Sequence, residues 1–336
     1  MNKLSTYQTV DLRVLVSVVN YRSAELVCRM LPDLIQQIDK SRDRIVIVDN
    51  LSPDDSFKVL KDFVVSSELT EYVEVVLADK NGGFSYGNNL AIKTAMEKYQ
   101  STPSFVWLLN PDTQVLDEAL SHLVSFFDSY PKAGILGSRL ESENGTPQES
   151  AFNFCSLTSE MLASTSIGYL NRIFSKSLVS LNYIPDSPTK CDWVAGASMF
   201  IRYSVIEKIG LMDETYFLYF EETDFCLQSI RSGWECWYVP SSRVIHFVGQ
   251  STGIVSGDSL RRRRPKYWFQ SRQYYFLKNH GLIYTIAADL IWGVGFSLLI
   301  IRNFFMGRRG GDPEHMLRDF WRNSIFLSWL DGKQDV

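Results

Sequence analysis

The chain has 336 residues, 45% of them apolar and 13% aromatic, with a formal net charge of -4. This suits one large α/β domain with an appendage, or two domains, and excludes a disordered chain. Five cysteines (Cys28, Cys155, Cys191, Cys226 and Cys236), odd in number and without C-x-x-C spacing, argue against a disulfide framework or a zinc site and fit a reducing compartment. No signal peptide is read at the N-terminus, because the apolar part, 14–19, is short and contains Ser17; a cytoplasmic location is the expectation. The charge is unevenly placed. Residues 259–288 hold no Asp or Glu, yet Arg261, Arg262, Arg263, Arg264, Lys266, Arg272 and Lys278 fall there. Such a block points to an anionic partner (phosphate, a lipid surface or nucleic acid) or to a solvated basic loop.

In chain order, 13–21 is a β-branched run that predicts a buried strand, and 23–38 has apolar residues at helical spacing behind a serine cap at Ser23. A second strand over 43–50 ends in Asp49-Asn50, and a capped helix follows at 52–64. The segment 71–80 alternates as a third strand. The stretch NGGFSYGNN (81–89) predicts a Gly/Asn-rich loop, and 90–99 a helix. A fourth strand, 104–110, runs into Asn110-Pro111-Asp112. Strands alternating with helices predict a parallel, doubly wound sheet with helices on both faces and a ligand crevice at the carboxyl ends of the strands. The second half is less regular: one helix near 157–169, a strand and helix over 193–210, a helix closed by Gly233, and a strand ending near His246.

Several residues carry chemistry. Pro111 turns the chain so that Asp112 projects past a strand end, where a carboxylate beside an amide suits a hard divalent cation shared with phosphate. The alternative is that Asp112 or Thr113 caps a following helix. Asp49 either contacts a ribose or base edge or forms a turn. The glycines of 81–89 allow close backbone approach to an anionic ligand, but the spacing is neither a P-loop nor a dinucleotide fingerprint. Glu221, Glu222 and Asp224 lie among aromatics, where repulsion and desolvation raise a carboxylate pKa and favour a general base; they equally suit the N-terminus of a helix. His246 follows an apolar strand as a structural histidine or a ligand.

In order along the chain, VSVVNY, IVIVDN, NGGFSYGNN, LLNPD, WVAGASMFIR, DETYFLYFEETDFC and the strand with IH resemble the family 2 inverting glycosyltransferases of GT-A fold, closest to the rhamnosyltransferase-like branch of bacterial surface polysaccharide synthesis. The similarity spans about 14–278. It implies a catalytic domain over 1–258, with a nucleotide-sugar half at about 10–135 and an acceptor half at about 136–258, and a basic and apolar helical extension over 259–336. It further implies that Asn20, Tyr21, Asp49, Asn81, Gly82, Gly83, Asn89 and Asn110 shape the nucleotide-sugar site. Asp112 and His246 would hold Mn2+ or Mg2+, with Asn110 standing where many members have a first Asp. Glu222 would be the base, Glu where the family often has Asp, and Trp193, Gly196, Ala197, Glu221 and Asp224 would lie on the acceptor side. The implied partners are a nucleoside-diphosphate sugar and a glycan or lipid-linked acceptor, not nucleic acid. A non-catalytic nucleotide-sugar binder and a donor hydrolase are the alternatives.

At the C-terminus, 290–301 carries no charge and is bounded by Asp289 and Arg302; extension back to Leu282 gives twenty residues but admits Asp289. Three readings stand: a transmembrane helix, a helix buried against the catalytic domain, or an in-plane helix on a membrane whose anionic headgroups meet the basic block and Arg308 and Arg309.

Overall fold

The computed structural model describes residues 10–247, 263–308 and 311–330. The first half is β1 (Val14–Asn20), α1 (Ala24–Gln37), β2 (Arg44–Asp49), α2 (Ser56–Ser66), β3 (Val73–Leu77), α3 (Gly83–Tyr99) and β4 (Phe105–Leu109). These strands pair in parallel in the order β3-β2-β1-β4. β1, β2 and β4 are buried on both faces, as near-continuous apolar runs must be, while the edge strand β3 is only partly buried. Val14, Val16 and Val18 of β1 pack toward Val27 and Leu31 of α1, while Leu15 faces Ala91 and Ile92 of α3 on the other side.

Beyond β4 the chain forms β5 (Thr113–Val115), α4 (Ala119–Ser129), β6 (Ala133–Glu141), β7 (Ala151–Phe152), α5 (Leu157–Thr165) and α6 (Gly168–Ile173). Then come β8 (Thr189–Cys191), β9 (Trp193–Val194), β10 (Ser198–Arg202), α7 (Tyr203–Ile209), α8 (Glu221–Arg231) and β11 (Glu235–His246). Here the sheet is mixed. β10 runs antiparallel between β4 and β6, β11 is parallel to β6, and β5 and β8 pair antiparallel to β11. The parallel doubly wound expectation therefore holds for the first four strands and gives way to a mixed order at β10.

Local readings change in three places. The stretch 81–89 is not a loop after Gly82: α3 begins at Gly83. Its glycines and asparagines read as loop by propensity, but tertiary bonds override that; Asn88 donates to the Phe84 carbonyl and accepts from the buried Ser17 hydroxyl. Asp112 caps no helix, because the short strand β5 follows it and the Thr113 hydroxyl donates to the Asn110 carbonyl at 2.7 Å. Ser23 occupies the N-cap of α1 but makes no side-chain cap; its hydroxyl donates to the Tyr21 carbonyl.

The C-terminal region is helical: α9 (Lys266–His280), α10 (Leu282–Phe305), α11 (Met316–Arg322) and α12 (Ile325–Leu330). Three residues of the basic block, Arg263, Arg272 and Lys278, are spent on internal partners. Arg272 is buried between Glu160 and Asp289, donating to Asp289 at 2.7 Å. Lys278 bridges Asp213 and Asp224, both at 2.7 Å. Arg263 grips Asp319 with both ends of its guanidinium. As a free anion-binding patch the block is thus corrected at these positions; Arg261, Arg262 and Arg309 lie outside the described residues.

Candidate active site

The carboxyl ends of β1 and β2 are stitched side by side. Asn20 and Asp49 are register partners, the Asn20 amide donates to Asp49 at 2.6 Å, and Ser52 gives Asp49 two further bonds from its N–H and hydroxyl at 2.8 Å. The Asn20 carbonyl group of the side chain accepts from the Ser23 N–H. Both side chains are fully buried, so they build the floor of this edge, whereas Tyr21 beside them is exposed. Asn50, which the sequence did not single out, reaches across to donate to the Gly83 carbonyl at 2.8 Å.

Asn81 accepts from the Gly83 N–H, and Gly82 precedes the first turn of α3. Asn89 turns away from this rim. Its amide donates to the Met212 carbonyl and Glu214 and its oxygen accepts from the Met212 N–H, so every hydrogen-bonding direction ties α3 to the segment before α8. That is a positioning role between the two halves, not the direct donor contact expected for it.

At the end of β4 the Asn110 N–H donates to the Ala197 carbonyl at 3.1 Å. Asp112 is buried, and its Oδ1 lies 3.6 Å from Nε2 of His246. The antiparallel pairing of β5 and β11 aligns Thr113 with His246, and the Phe247 N–H donates to the Asp112 carbonyl at 2.9 Å. Two residues 134 positions apart in sequence are thereby held as a carboxylate–imidazole pair. This donor set fits a divalent cation that takes its remaining ligands from a diphosphate and water. Among the described residues no cluster of three or more His, Cys, Asp or Glu could cage a metal by itself.

Glu221 and Glu222 open α8. Tyr219 and Phe220 before them both have left-handed backbones, φ 71° and 69°. Such a corner is costly for non-glycine residues and persists only when its surroundings hold it. Here α9 does so: Ser271 donates to the Leu218 carbonyl, Tyr267 packs on Phe217 and Tyr219, and Tyr275 packs on Phe220. Asp224, expected on the acceptor side, is instead consumed by Lys278 and Asn279, each at 2.7 Å, because it lies one helical turn inside α8 and faces α9.

Burial pushes the Glu221 carboxyl well up, and the adjacent Glu222 pushes it further. Glu222 is also raised by burial, a rise tempered by its own backbone N–H and that of Gly196. Each has one buried carboxylate oxygen without a hydrogen-bond partner among the described residues. The backbone of Gly196 marks where three elements meet: a β-carbon there would lie 3.2 Å from the Phe84 ring and 3.9 Å from Oε1 of Glu222. Trp193 stands at the edge of this wall, stacked on Phe152 at 4.2 Å with its ring N–H donated to the Asn153 carbonyl. A desolvated carboxylate with an unused oxygen, beside open glycine backbone, is equipped to accept a proton from a hydroxyl.

The chain resembles known proteins in sequence and in fold. Residues 14–172 match the family model for glycosyl transferase family 2. The chain is 24% identical over 210 residues to rhamnosyltransferase WbbL of Escherichia coli (strain K12), covering 60% of this chain and 77% of that protein. It is 28% identical over 149 residues to the N-acetylglucosaminyl-diphospho-decaprenol L-rhamnosyltransferase of Mycobacterium tuberculosis; this match spans 44% of the chain and about half of that relative, 48%. Among solved structures, mannosyltransferase PcManGT from Pyrobaculum calidifontis, in complex with GDP-Man and Mn2+, aligns with a TM-score of 0.55 at 12% identity, covering 91% of this chain and 78% of that one. TarS 1-349 of S. aureus aligns with a TM-score of 0.51 at 17% identity, covering 95% and 83%. These structural likenesses establish a GT-A-like architecture, residues 14–172 match the glycosyl transferase family 2 model, and the chain is similar to rhamnosyltransferases.

Proposed function

We propose that this enzyme transfers a hexose, with rhamnose the leading case, from a nucleoside-diphosphate sugar to a glycan or lipid-linked glycan acceptor, with inversion. Glu222 takes the proton of the attacking acceptor hydroxyl. Attack comes from the face opposite the diphosphate, so the anomeric bond breaks as the new glycosidic bond forms and no covalent enzyme intermediate is needed. Asp112 and His246 would hold Mn2+ or Mg2+, which when bound offsets the negative charge growing on the departing diphosphate. Tyr21, Asn81, Gly82, Gly83 and Asn110 line the donor side over the floor of Asn20 and Asp49, and Trp193, Gly196 and Ala197 border the acceptor.

The observation that carries this reading is the desolvated Glu222 carboxylate with an oxygen left unpartnered beside Gly196. A protein that only bound nucleotide sugars would have no use for a buried carboxylate kept in that state. The names of the E. coli and M. tuberculosis relatives support rhamnosyl transfer and, in the second case, a diphospho-decaprenol acceptor. A lipid-linked acceptor places the work at the cytoplasmic membrane face, in assembly of a surface polysaccharide. The test is product analysis with deoxythymidine-, uridine- and guanosine-diphosphate sugars, with and without a polyprenyl-diphosphate-linked sugar. Glycosylated acceptor supports transfer; free sugar alone, formed equally with and without acceptor, supports a hydrolase; no turnover with tight donor binding supports the binder.

A further inference from the structure

The helix α10 is long and apolar enough to cross a bilayer by length and composition, yet its two faces differ. On the inner face Thr285, Ala288, Asp289, Trp292, Phe296 and Leu299 are buried. This face holds the ion pair of Asp289 with Arg272, and Gly295 is pressed so close to α5 that a β-carbon would lie 2.2 Å from the Ser164 hydroxyl oxygen. A helix spanning hydrocarbon cannot keep α5, α9 and α11, with Glu160, Arg272 and Asp319, along one side without drawing those charges in with it. The outer face is equally definite: Ile283, Leu290, Val294, Leu298, Ile301 and Phe305 are all exposed. At 3.6 residues per turn they fall in one stripe about 60° to 120° wide, running the roughly 36 Å length of the helix.

A second segment extends the stripe. Arg302 donates to the Ser166 carbonyl at 3.4 Å, which seats the start of α6 beside the C-terminal half of α10. There Ile167, Tyr169, Ile173 and Phe174 are exposed. Both segments share one kind of charge. Residues 161–185 contain no Asp or Glu but do contain Arg172 and Lys176; residues 290–311 contain none either, but hold Arg302, Arg308 and Arg309. An apolar stripe whose two segments, 161–185 and 290–311, carry cations and no acids complements an anionic lipid surface.

We propose that α10 and α6 together form an in-plane membrane-docking face: the outer stripe of α10 inserts among acyl chains, and Arg172, Lys176 and Arg308 meet anionic headgroups. The proposal concerns a surface separate from the active site and stands whether or not the donor assignment is right. A second copy of the chain covering the same stripe is the rival occupant, and the experiment separates the two.

The full chain, Val294→Glu/Leu298→Glu and Arg308→Glu are each sedimented with phosphatidylcholine vesicles, with and without about one-third phosphatidylglycerol. Their masses are measured by analytical ultracentrifugation without lipid. The two glutamates replace exposed side chains, and unchanged melting temperature checks that the fold survives. The expected result is binding to the anionic vesicles that weakens with salt, falls at least about tenfold in Val294→Glu/Leu298→Glu, and falls less in Arg308→Glu. Failure of the full chain to bind, binding by the double variant equal to that of the full chain, or a dimer that the double variant dissociates, would each overturn the proposal.

Discussion

Gly83 lies directly under the carbonyl of Phe217: a β-carbon at 83 would come 1.8 Å from that oxygen, which also accepts the Phe84 N–H at 3.1 Å. The first turn of α3 and the corner that leads into Glu222 are therefore one packed unit. Gly83 also has φ +83°, a conformation that side chains rarely adopt. Gly83→Ala should lower the melting temperature, since the left-handed backbone alone costs about 1–2 kcal/mol, and should reduce transfer more than donor binding. A variant with wild-type melting temperature and turnover would show that the two segments move independently.

Glu222→Gln should retain donor binding and lose about a hundred- to ten-thousand-fold in transfer rate. The same substitution carries a stability signature. Burial raises the Glu222 pKa in the folded state, so the folded chain binds its proton more tightly than the unfolded chain does. That stabilisation is complete below the ordinary carboxylate range and disappears as pH rises through the raised value. Glutamine needs no proton, so its advantage over the native residue should appear in melting temperature on the alkaline side and vanish in acid. In the native enzyme, transfer should rise with pH through the same raised value. If Glu221→Gln suffers the larger loss of transfer with donor binding intact, the base is Glu221.

Asp112→Asn and His246→Gln should fold normally and lose the part of donor affinity that added Mn2+ confers, by about tenfold or more. Calorimetric titration of the nucleoside diphosphate, with and without Mn2+, reads this directly. Excess chelator should bring the native enzyme to the level of Asp112→Asn. Undiminished transfer in chelator would remove the metal from this site.

Lys278→Met strips the shared cation from Asp213 and Asp224. Burial acts to raise the Asp213 carboxyl, but Lys278, Thr215 and Tyr274 outweigh it and hold it at about 2. The stabilisation from Asp213 is therefore present above the ordinary carboxylate range and is lost as pH falls through about 2. In Lys278→Met the acid loss should shift to higher pH, and neutral stability should drop by about 1.5–3 kcal/mol for each charge-assisted bond removed. Lys278→Arg should restore much of it. Equal acid-unfolding midpoints for the native and Met chains would show that the bridge contributes nothing.

The sequence carried much of this because buried parallel strands are written as apolar runs whose ends are easy to see. Val14–Asn20, Arg44–Asp49 and Phe105–Leu109 were legible in that way, and with them the rim residues Asp49 and Asp112. His246 was legible only as the end of a strand, since its partner depends on the antiparallel register of β5 and β11. Composition misled at 81–89, where the Asn and Gly residues of a helix are satisfied by neighbours distant in sequence. The roles of Asn89, Asp224 and Lys278 were hidden for the same reason: each is fixed by a partner 54 or more residues away. Asn50 gave no signal beyond following Asp49.

Arg272 and its two carboxylates bear on the order in which the molecule can be completed. Glu160 precedes Arg272 by 112 residues, and Asp289 follows it by 17, while Asp289 also accepts the Ile325 N–H at 2.8 Å. A chain growing from its N-terminus exposes Glu160 long before its counter-charge exists. It holds Asp112, Glu222 and His246 well before α9 arrives to brace the corner at Tyr219 and Phe220. Domains fold as units during synthesis, and here the unit closes only once α9, α10 and Ile325 have been added. A nascent chain released early would carry all three proposed site residues and still lack the helix that braces the corner before Glu222.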